Sequence, residues 1–289
     1  MDPQLAQLLV NGIAVGSIIA LSAVGLTLTY GILRLSNFAH GDFMTLGAYL
    51  TLLVNTTGLN IWLSIAVGAV MTVAGVLLSE KVIWAPMRVR RASSTTLIII
   101  SIGLALFIRN GIILIWGGNN QRYNLPVAEA LSIGGVRIPY YNLVVVFLAV
   151  IAIAALHYLL QNTRIGKAMR AVADDIDLAR VTGINVDWVV IWTWIIAGGM
   201  TALGGSMLGL VQAVRPNMGW FLILPLFASV ILGGIGNPYG AIAGALVIGI
   251  VQEVSTYWLP TEYKLGVALA VMVLVLLIRP QGLFKGTLS

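Results

Sequence analysis

The chain has no cysteine, so disulfides and thiolate metal sites are excluded. Charge is nearly as scarce: 9% of the 289 residues are Asp, Glu, Lys or Arg, against 59% hydrophobic, and the mean hydropathy is +0.99. Such a composition has no room for a large soluble domain. The opening residues MDPQLAQLLVNG carry Asp2 but no Lys or Arg, so they lack the basic start of a cleaved signal and the first helix is expected to be retained. Histidine occurs only at His40 and His157, and no nucleophile with a base and no set of metal ligands is evident, which leaves neither catalytic nor metal-binding residues to name. A phosphate-binding loop is missing too: Gly166-Lys167 is followed by Ala168, and Gln161 stands where the leading glycine should be.

What is present is a series of apolar runs at about 9–33, 40–54, 61–84, 96–116, 141–160, 188–212, 222–235, 239–258 and 263–279. A helix needs roughly 20 residues to cross ~30 Å of hydrocarbon. The expected fold is therefore all-α: one polytopic membrane helix bundle of eight or nine hydrophobic segments spanning residues 1–289, with a broken or short helix near 222–238.

Basic residues set the expected orientation. With the amino terminus outside, the cytoplasmic segments hold Arg34, Lys81, Arg88, Arg90, Arg91, Arg164, Lys167, Arg170, Arg180, Arg279 and Lys285, eleven of the sixteen Lys and Arg. The positive-inside rule then places the carboxyl terminus in the cytoplasm. The +6 net charge is this bias and not a nucleic-acid footprint. Trp62, Trp84, Trp116, Tyr140, Tyr141, Tyr257 and Trp258 fall at run ends, where amphipathic rings favour the headgroup level.

Two stretches are not plain spans. The piece 222–235, in FLILPLFASVILGGIGNPYGAIAGALVIG, is about 21 Å long as a helix and ends in Gly233, Gly234, Gly236 and Asn237-Pro238, so a break is expected there. Freed backbone groups at such a break must lie against protein or a water-filled cavity. The passage around Gly31, Asn37, Gly41 and Gly47 is similar in kind, and paired interruptions in two halves of a chain point to a transport pathway and an inverted repeat. The alternative for Gly41, Gly47, Gly244 and Gly249 is close helix packing, and that is the expectation for these four. His40 and Asp42 are expected at the inner interface, hydrated or paired with each other. Arg109 and Glu253 lie seven and five residues from Trp116 and Trp258, roughly 8–10 Å below the outer aromatic level. A lone charge there costs about 2.5–3.5 kcal/mol or more, so two readings stand: Arg109 pairs with Glu253 inside the bundle, or each snorkels outward separately.

The loop at about 162–186 carries Ile165, Met169, Val172, Ile176 and Ala179 along one helix face and Arg164, Lys167, Arg170, Asp174 and Asp177 on the other. The pattern predicts an amphipathic helix ending near Gly183. Bases early and acids late oppose the helix dipole, so helix stability does not explain the order. A helix in the headgroup layer, in contact with membrane lipid, and a handle for a cytoplasmic partner both fit.

Taken together, YGILRLSNFAHGDFMTLGAYL, RIGKAMRAVADDIDLARVTGINVD, FASVILGGIGNPYGAIAGALVIG and the tail TEYK with RPQGLF resemble the LivH-type permease family of branched-chain and neutral amino-acid ABC importers, over essentially the whole chain. The resemblance implies a multi-pass subunit of the bacterial inner membrane, moving neutral or branched-chain amino acids by alternating access. It implies a second related permease, two cytoplasmic ATP-binding subunits holding ATP and Mg, and a periplasmic solute-binding protein, with no cofactor in this chain. The stretch Ala171 to Gly183 then takes the place of the ATPase-coupling loop, with Arg170, Ala171, Asp174, Asp175, Ala179 and Gly183 as its candidates. Asn37 is expected to cap the following helix, and Asn37, His40, Asp42, Arg109, Gly233, Gly234, Gly236, Asn237 and Glu253 are the pathway candidates. Competing readings are a urea or short-amide ABC permease, and a stand-alone secondary transporter or channel with Arg109, Glu253, Asp42 and His40 as a relay.

Overall fold

The computed structural model describes residues 2–126, 128–133, 135–279 and 281–284. Lys285, counted above among the basic residues, lies outside the described residues. In chain order the helices are α1 (Pro3–Leu33), α2 (His40–Thr56), α3 (Ile61–Ser79), α4 (Ala85–Val89), α5 (Ser94–Trp116), α6 (Tyr140–Asn162), α7 (Arg164–Asp174), α8 (Ile176–Val181), α9 (Val186–Val211), α10 (Met218–Gly233), α11 (Pro238–Val254) and α12 (Lys264–Ile278). A widened π turn, Glu80–Trp84, joins α3 to α4, and a small antiparallel hairpin of β1 (Leu131–Ile133) and β2 (Val136–Ile138) precedes α6. Among the described residues, seven helical stretches are long and apolar enough to cross a membrane, and α10 is a shorter apolar helix.

The bundle has two ends. At one, the loops meet: the N–H of Arg137 donates to Gln7 Oε1, Tyr257 Oη donates to Asp2, the N–H of Asn124 donates to Asn55 Oδ1, and Gln121 bridges Val214. At the other, Arg34, Arg88, Arg91 and Arg180 line a common cleft. We call these the loop end and the basic end.

Two helices start inside the bundle. After α1 reaches the basic end, residues 34–39 turn back outside any helix, and α2 begins where His40 Nε2 lies 2.8 Å from both the Ser22 carbonyl and Thr201 Oγ1. Ser22 is about 16 Å along α1 from its basic end, and Ser22 and Thr201 sit near the middles of the 9–33 and 188–212 apolar runs. The start of α2 is therefore at mid-depth. After α9 reaches the loop end, residues 212–217 turn back likewise and α10 begins beside the first turn of α2. Gly219 donates its N–H to Thr45 Oγ1 at 3.0 Å, and a Cβ added to Gly41 would lie 2.9 Å from the Gly219 carbonyl carbon. From this meeting point α2 runs to the loop end and α10 to the basic end.

The packing repeats with inverted sense. α1 lies along α11 as α9 lies along α3, and α2 packs on α3 and α5 as α10 packs on α11 and α12. α1 crosses α9, and α2 meets α10. This is the inverted arrangement that the paired interruptions suggested, with α6, α7 and α8 between the halves. The second span differs from expectation: besides the short run near 222–235, α2 is also too short to cross, because the chain spends 34–39 returning to mid-depth. At Gly47, Gly244 and Gly249, as at Gly41, a Cβ would collide with a neighbouring backbone. These are the close approaches that small residues permit in membranes.

Gly41→Ala should therefore destabilise the protein by about 1–3 kcal/mol through overpacking and lower its thermal midpoint in detergent. Gly103→Ala, in the interior of α5 where nothing lies within 4 Å, should hold the midpoint or raise it slightly.

Candidate functional site

The segment opening α2 is short of water, so its polar groups must find partners within the chain. Asn37 accepts the N–H of Ala39 on Oδ1 at 3.0 Å, an Asx turn just ahead of α2; the expected cap does not form, because the residue flanking the helix is Ala39, which has no side-chain cap bond. Phe38 N–H donates to Ser101 Oγ of α5 at 3.1 Å, and Ser101 Oγ donates in turn to the Ile98 carbonyl. Asn37, His40 and Asp42 are all buried. The expectation of an inner-interface position for His40 and Asp42 is thus corrected, and they do not pair with each other. His40 ties α2 to α1 and α9, while Asp42 faces α5.

There Asp42 meets Arg109. Arg109 donates from Nε to Oδ1 and from Nη2 to Oδ2, both at 3.0 Å, a bidentate pair with Asp42 fully buried and Arg109 14% exposed. The guanidinium also lies over the Trp220 ring of α10, 4.4 Å from its centroid. One ion pair and one cation–π contact therefore join α5, α2 and α10. The pair of Arg109 with Glu253 does not form. Glu253 accepts from Lys264 Nζ at 2.6 Å, near the loop end, where Lys264 follows the turn after α11. Counting from Trp116 and Trp258 gave each residue its depth but not the side of the helix on which it lies. A relay of Arg109, Glu253, Asp42 and His40 is not assembled: the first and third close on each other, and Glu253 closes on Lys264.

Gly233, Gly234, Gly236 and Asn237 form the turn between α10 and α11 at the basic end. Gly234 and Gly236 have φ of +106° and +87°, a backbone that side-chain-bearing residues rarely adopt. Asn237 Oδ1 accepts from the N–H groups of Tyr239 and Gly240, both at 3.1 Å, with Pro238 opening the helix. Gly236 N–H donates to Thr27 Oγ1 of α1 at 3.0 Å. The tail closes the turn: Leu283 and Phe284 donate their N–H groups to the carbonyls of Leu232 and Gly233 at 2.7 and 3.2 Å. Carbonyls left orphaned where a helix stops within a membrane protein are thereby satisfied.

The arm at 162–186 is two helices. Thr163 caps α7 by accepting from Gly166 N–H, and Arg170 donates to the Leu160 carbonyl and to Gln161 Oε1. The predicted single helix through Ile176 breaks at Asp175, whose Oδ1 accepts from the N–H groups of Asp177 and Leu178, both at 2.9 Å, to start α8. A side chain this good at capping wins over continuation. Met169 and Val172 of α7 and Ala179 of α8 are buried as expected, and Ala171 is half-buried. Ile176, Leu178 and Val181 are 41%, 60% and 80% exposed. Asp174 and Asp175 are exposed, and Gly183, with φ of +89°, ends the arm. The sequence pattern missed the partners Ser22, Ser101, Thr201, Thr45 and Trp220, which look like ordinary helix residues until the break depths are known.

The family model described as "Branched-chain amino acid transport system / permease component" matches residues 8–276. The chain is 33% identical to the high-affinity branched-chain amino acid transport system permease protein LivH of Escherichia coli strain K12, covering 96% of this chain and 94% of that protein. It is 30% identical to BraD, the corresponding permease of Pseudomonas aeruginosa, with the same coverage, and 30% identical to a probable LivH of Methanocaldococcus jannaschii, covering 96% and 91%. Among solved structures, PsaBC from Streptococcus pneumoniae in complex with Fab matches with a TM-score of 0.56 at 16% identity, over 96% of this chain and 92% of that one, a likeness of fold.

Removing one partner of the Asp42–Arg109 pair leaves a charge buried and should cost about 3–5 kcal/mol. Asp42→Leu and Arg109→Met should each lower thermal stability in detergent strongly, and the double variant should recover much of the loss.

Proposed function

The chain belongs to the family of branched-chain amino acid transport permease components, and from that premise we propose that ATP hydrolysed by partner subunits drives it through the α7–α8 arm. It is a multi-pass permease subunit for branched-chain amino acids. The observation that supports the coupling role is the apolar surface of α8. Ile176, Leu178 and Val181 stand exposed on the arm at the basic end, beside the acidic Asp174, Asp175 and Asp177. A helix of six residues with three exposed aliphatic side chains gains little by facing water, and burial against a partner removes that surface at about 25 cal/mol per Å2.

In this proposal the basic end faces the cytoplasm of a bacterial inner membrane and the loop end, with the amino terminus, faces outward. Two cytoplasmic ATP-binding subunits, which bind ATP and Mg, seat on the arms of this chain and a second related permease, and a periplasmic solute-binding protein delivers cargo at the loop end. A push on the arm reaches α6 through Arg170, which holds the Leu160 carbonyl and Gln161. Gln161 donates in turn to Tyr239 Oη at the start of α11. The 234–238 turn lies next along the chain, and α10 beyond it. Rocking of α10 against α2 about the Gly41–Gly219 contact then opens the pathway to alternate sides. Asn37, His40, Asp42 and Arg109 act in this scheme as the joint holding α2, α5, α9 and α10 in register.

The absence of native cysteine makes the test direct. In membranes holding the assembled importer, single cysteines at Ile176, Leu178 or Val181 should crosslink to an ATP-binding subunit, and one at buried Val172 should not. Crosslinks that never capture that subunit while import proceeds would contradict the coupling role. Uptake into proteoliposomes should require both ATP and the binding protein, and uptake driven by a gradient alone would favour a stand-alone carrier.

A further inference from the structure

Between the basic ends of α1 and α6, helix α7 and the 234–238 turn lies a cavity of about 340 Å3, within the range of about 300–1,000 Å3 typical of small-molecule sites. Leu28, Ile32, Leu160 and Met169 give it an apolar wall. Arg170 and Asp174, one turn apart on α7, bring opposite charges to the same cavity, yet no ion pair joins them among the described residues. Arg170 is anchored through Nη1 to the Leu160 carbonyl and to Gln161 Oε1, at 3.0 Å for the latter, which leaves its other edge available. The Asp174 carboxylate has no hydrogen-bond partner among the described residues. The first turn of α11 adds the positive end of a 17-residue helix at Pro238 and Tyr239.

We propose that this cavity binds a zwitterionic amino acid with an apolar side chain, supplied from the basic end. Its carboxylate pairs with the free edge of Arg170, its ammonium with Asp174, and its side chain lies on Leu28, Ile32, Leu160 and Met169. The charges at i and i+4, with Cβ atoms about 5–6 Å apart, suit the short separation of ammonium and carboxylate in an α-amino acid. A phosphate or lipid headgroup phosphate would satisfy Arg170 but be repelled by Asp174, and a simple cation would leave the guanidinium unanswered. The bound molecule spans α7, α1 and the turn before α11, so it holds the arm in one position. Resting on the proposed coupling role and orientation, occupancy by product accumulating in the cytoplasm slows import.

The test uses the full complex of permeases and ATP-binding subunits in nanodiscs of neutral lipid, without binding protein, so that both faces are accessible. Labelled L-leucine should bind saturably and be displaced by L-valine. It should not be displaced by 4-methylpentanoate or isopentylamine, each of which lacks one of the two charges. Gly31→Leu and Ala173→Leu, which fill the cavity from α1 and from α7, should each weaken binding by about tenfold or more, so that if one fails to assemble the other still decides. Absence of saturable binding, equal displacement by the single-charge analogues, or unchanged affinity in an assembled filling variant would overturn the site. With binding protein then added at saturation, further L-leucine should lower the ATPase rate of the native complex and lower it less in the filling variants. If binding is seen and the rate does not fall, the regulatory role is overturned while the site stands. Failure of the arm to crosslink to an ATP-binding subunit is a separate result that leaves the binding measurement unaffected.

Discussion

Backbone groups at a helix break in the middle of a membrane protein have no water to turn to, and the rest of this structure follows from how two such breaks are satisfied within the bundle. α2 and α10 both begin inside the bundle, with their free N–H ends close together. Thr45 takes the Gly219 N–H, Asn37 takes that of Ala39, and Ser101 takes that of Phe38. Gly41 and Gly219 allow the backbones to approach closely enough for the Gly219–Thr45 bond. Larger side chains would force α2 and α10 apart and reopen the donors. The inverted packing of α1 with α11 and of α9 with α3 then encloses the joint from both sides.

Charge is placed with the same economy. The bidentate Asp42–Arg109 pair stands where a lone charge would be least tolerable, and stacking of Arg109 on Trp220 extends it to α10. Ion pairs of this kind contribute more to register than to net stability, because the attraction largely offsets the desolvation of both partners. Here the register fixed is that of α2 and α10 against α5. The basic end is held by a bidentate Arg88–Glu80 pair, an Asn-capped turn, a tail supplying two backbone bonds and an arm of two short helices broken at Asp175.

Much of this was legible in the residues. The apolar runs, the basic bias, the break at Gly233 to Asn237 and the close-packing glycines are local signals, each with a local physical cause. The depth of the α2 start was not legible, because polar residues between two apolar runs read as a turn in water. Asn37 and His40 are instead buried in the bundle, where His40 meets the Ser22 carbonyl and Thr201 and Ser101 takes the N–H of Phe38. The partner of Arg109 was missed for a related reason: distance from an aromatic anchor fixes depth, whereas which helix stands opposite is a property of the packed bundle. In the arm, the spacing of Ile165, Met169 and Val172 was read correctly. The capping strength of Asp175 ended the helix before Ile176 could join them.

The most direct measurement is an experimental density map of the assembled transporter in a lipid nanodisc, with the bilayer visible around it. Gly41 and Gly219 should meet at the bilayer midplane, with α2 and α10 running from there to opposite faces and Arg109 closed on Asp42. A map in which α2 begins at the membrane surface, with Gly41 and Gly219 apart, would contradict the central joint and the rocking motion built on it.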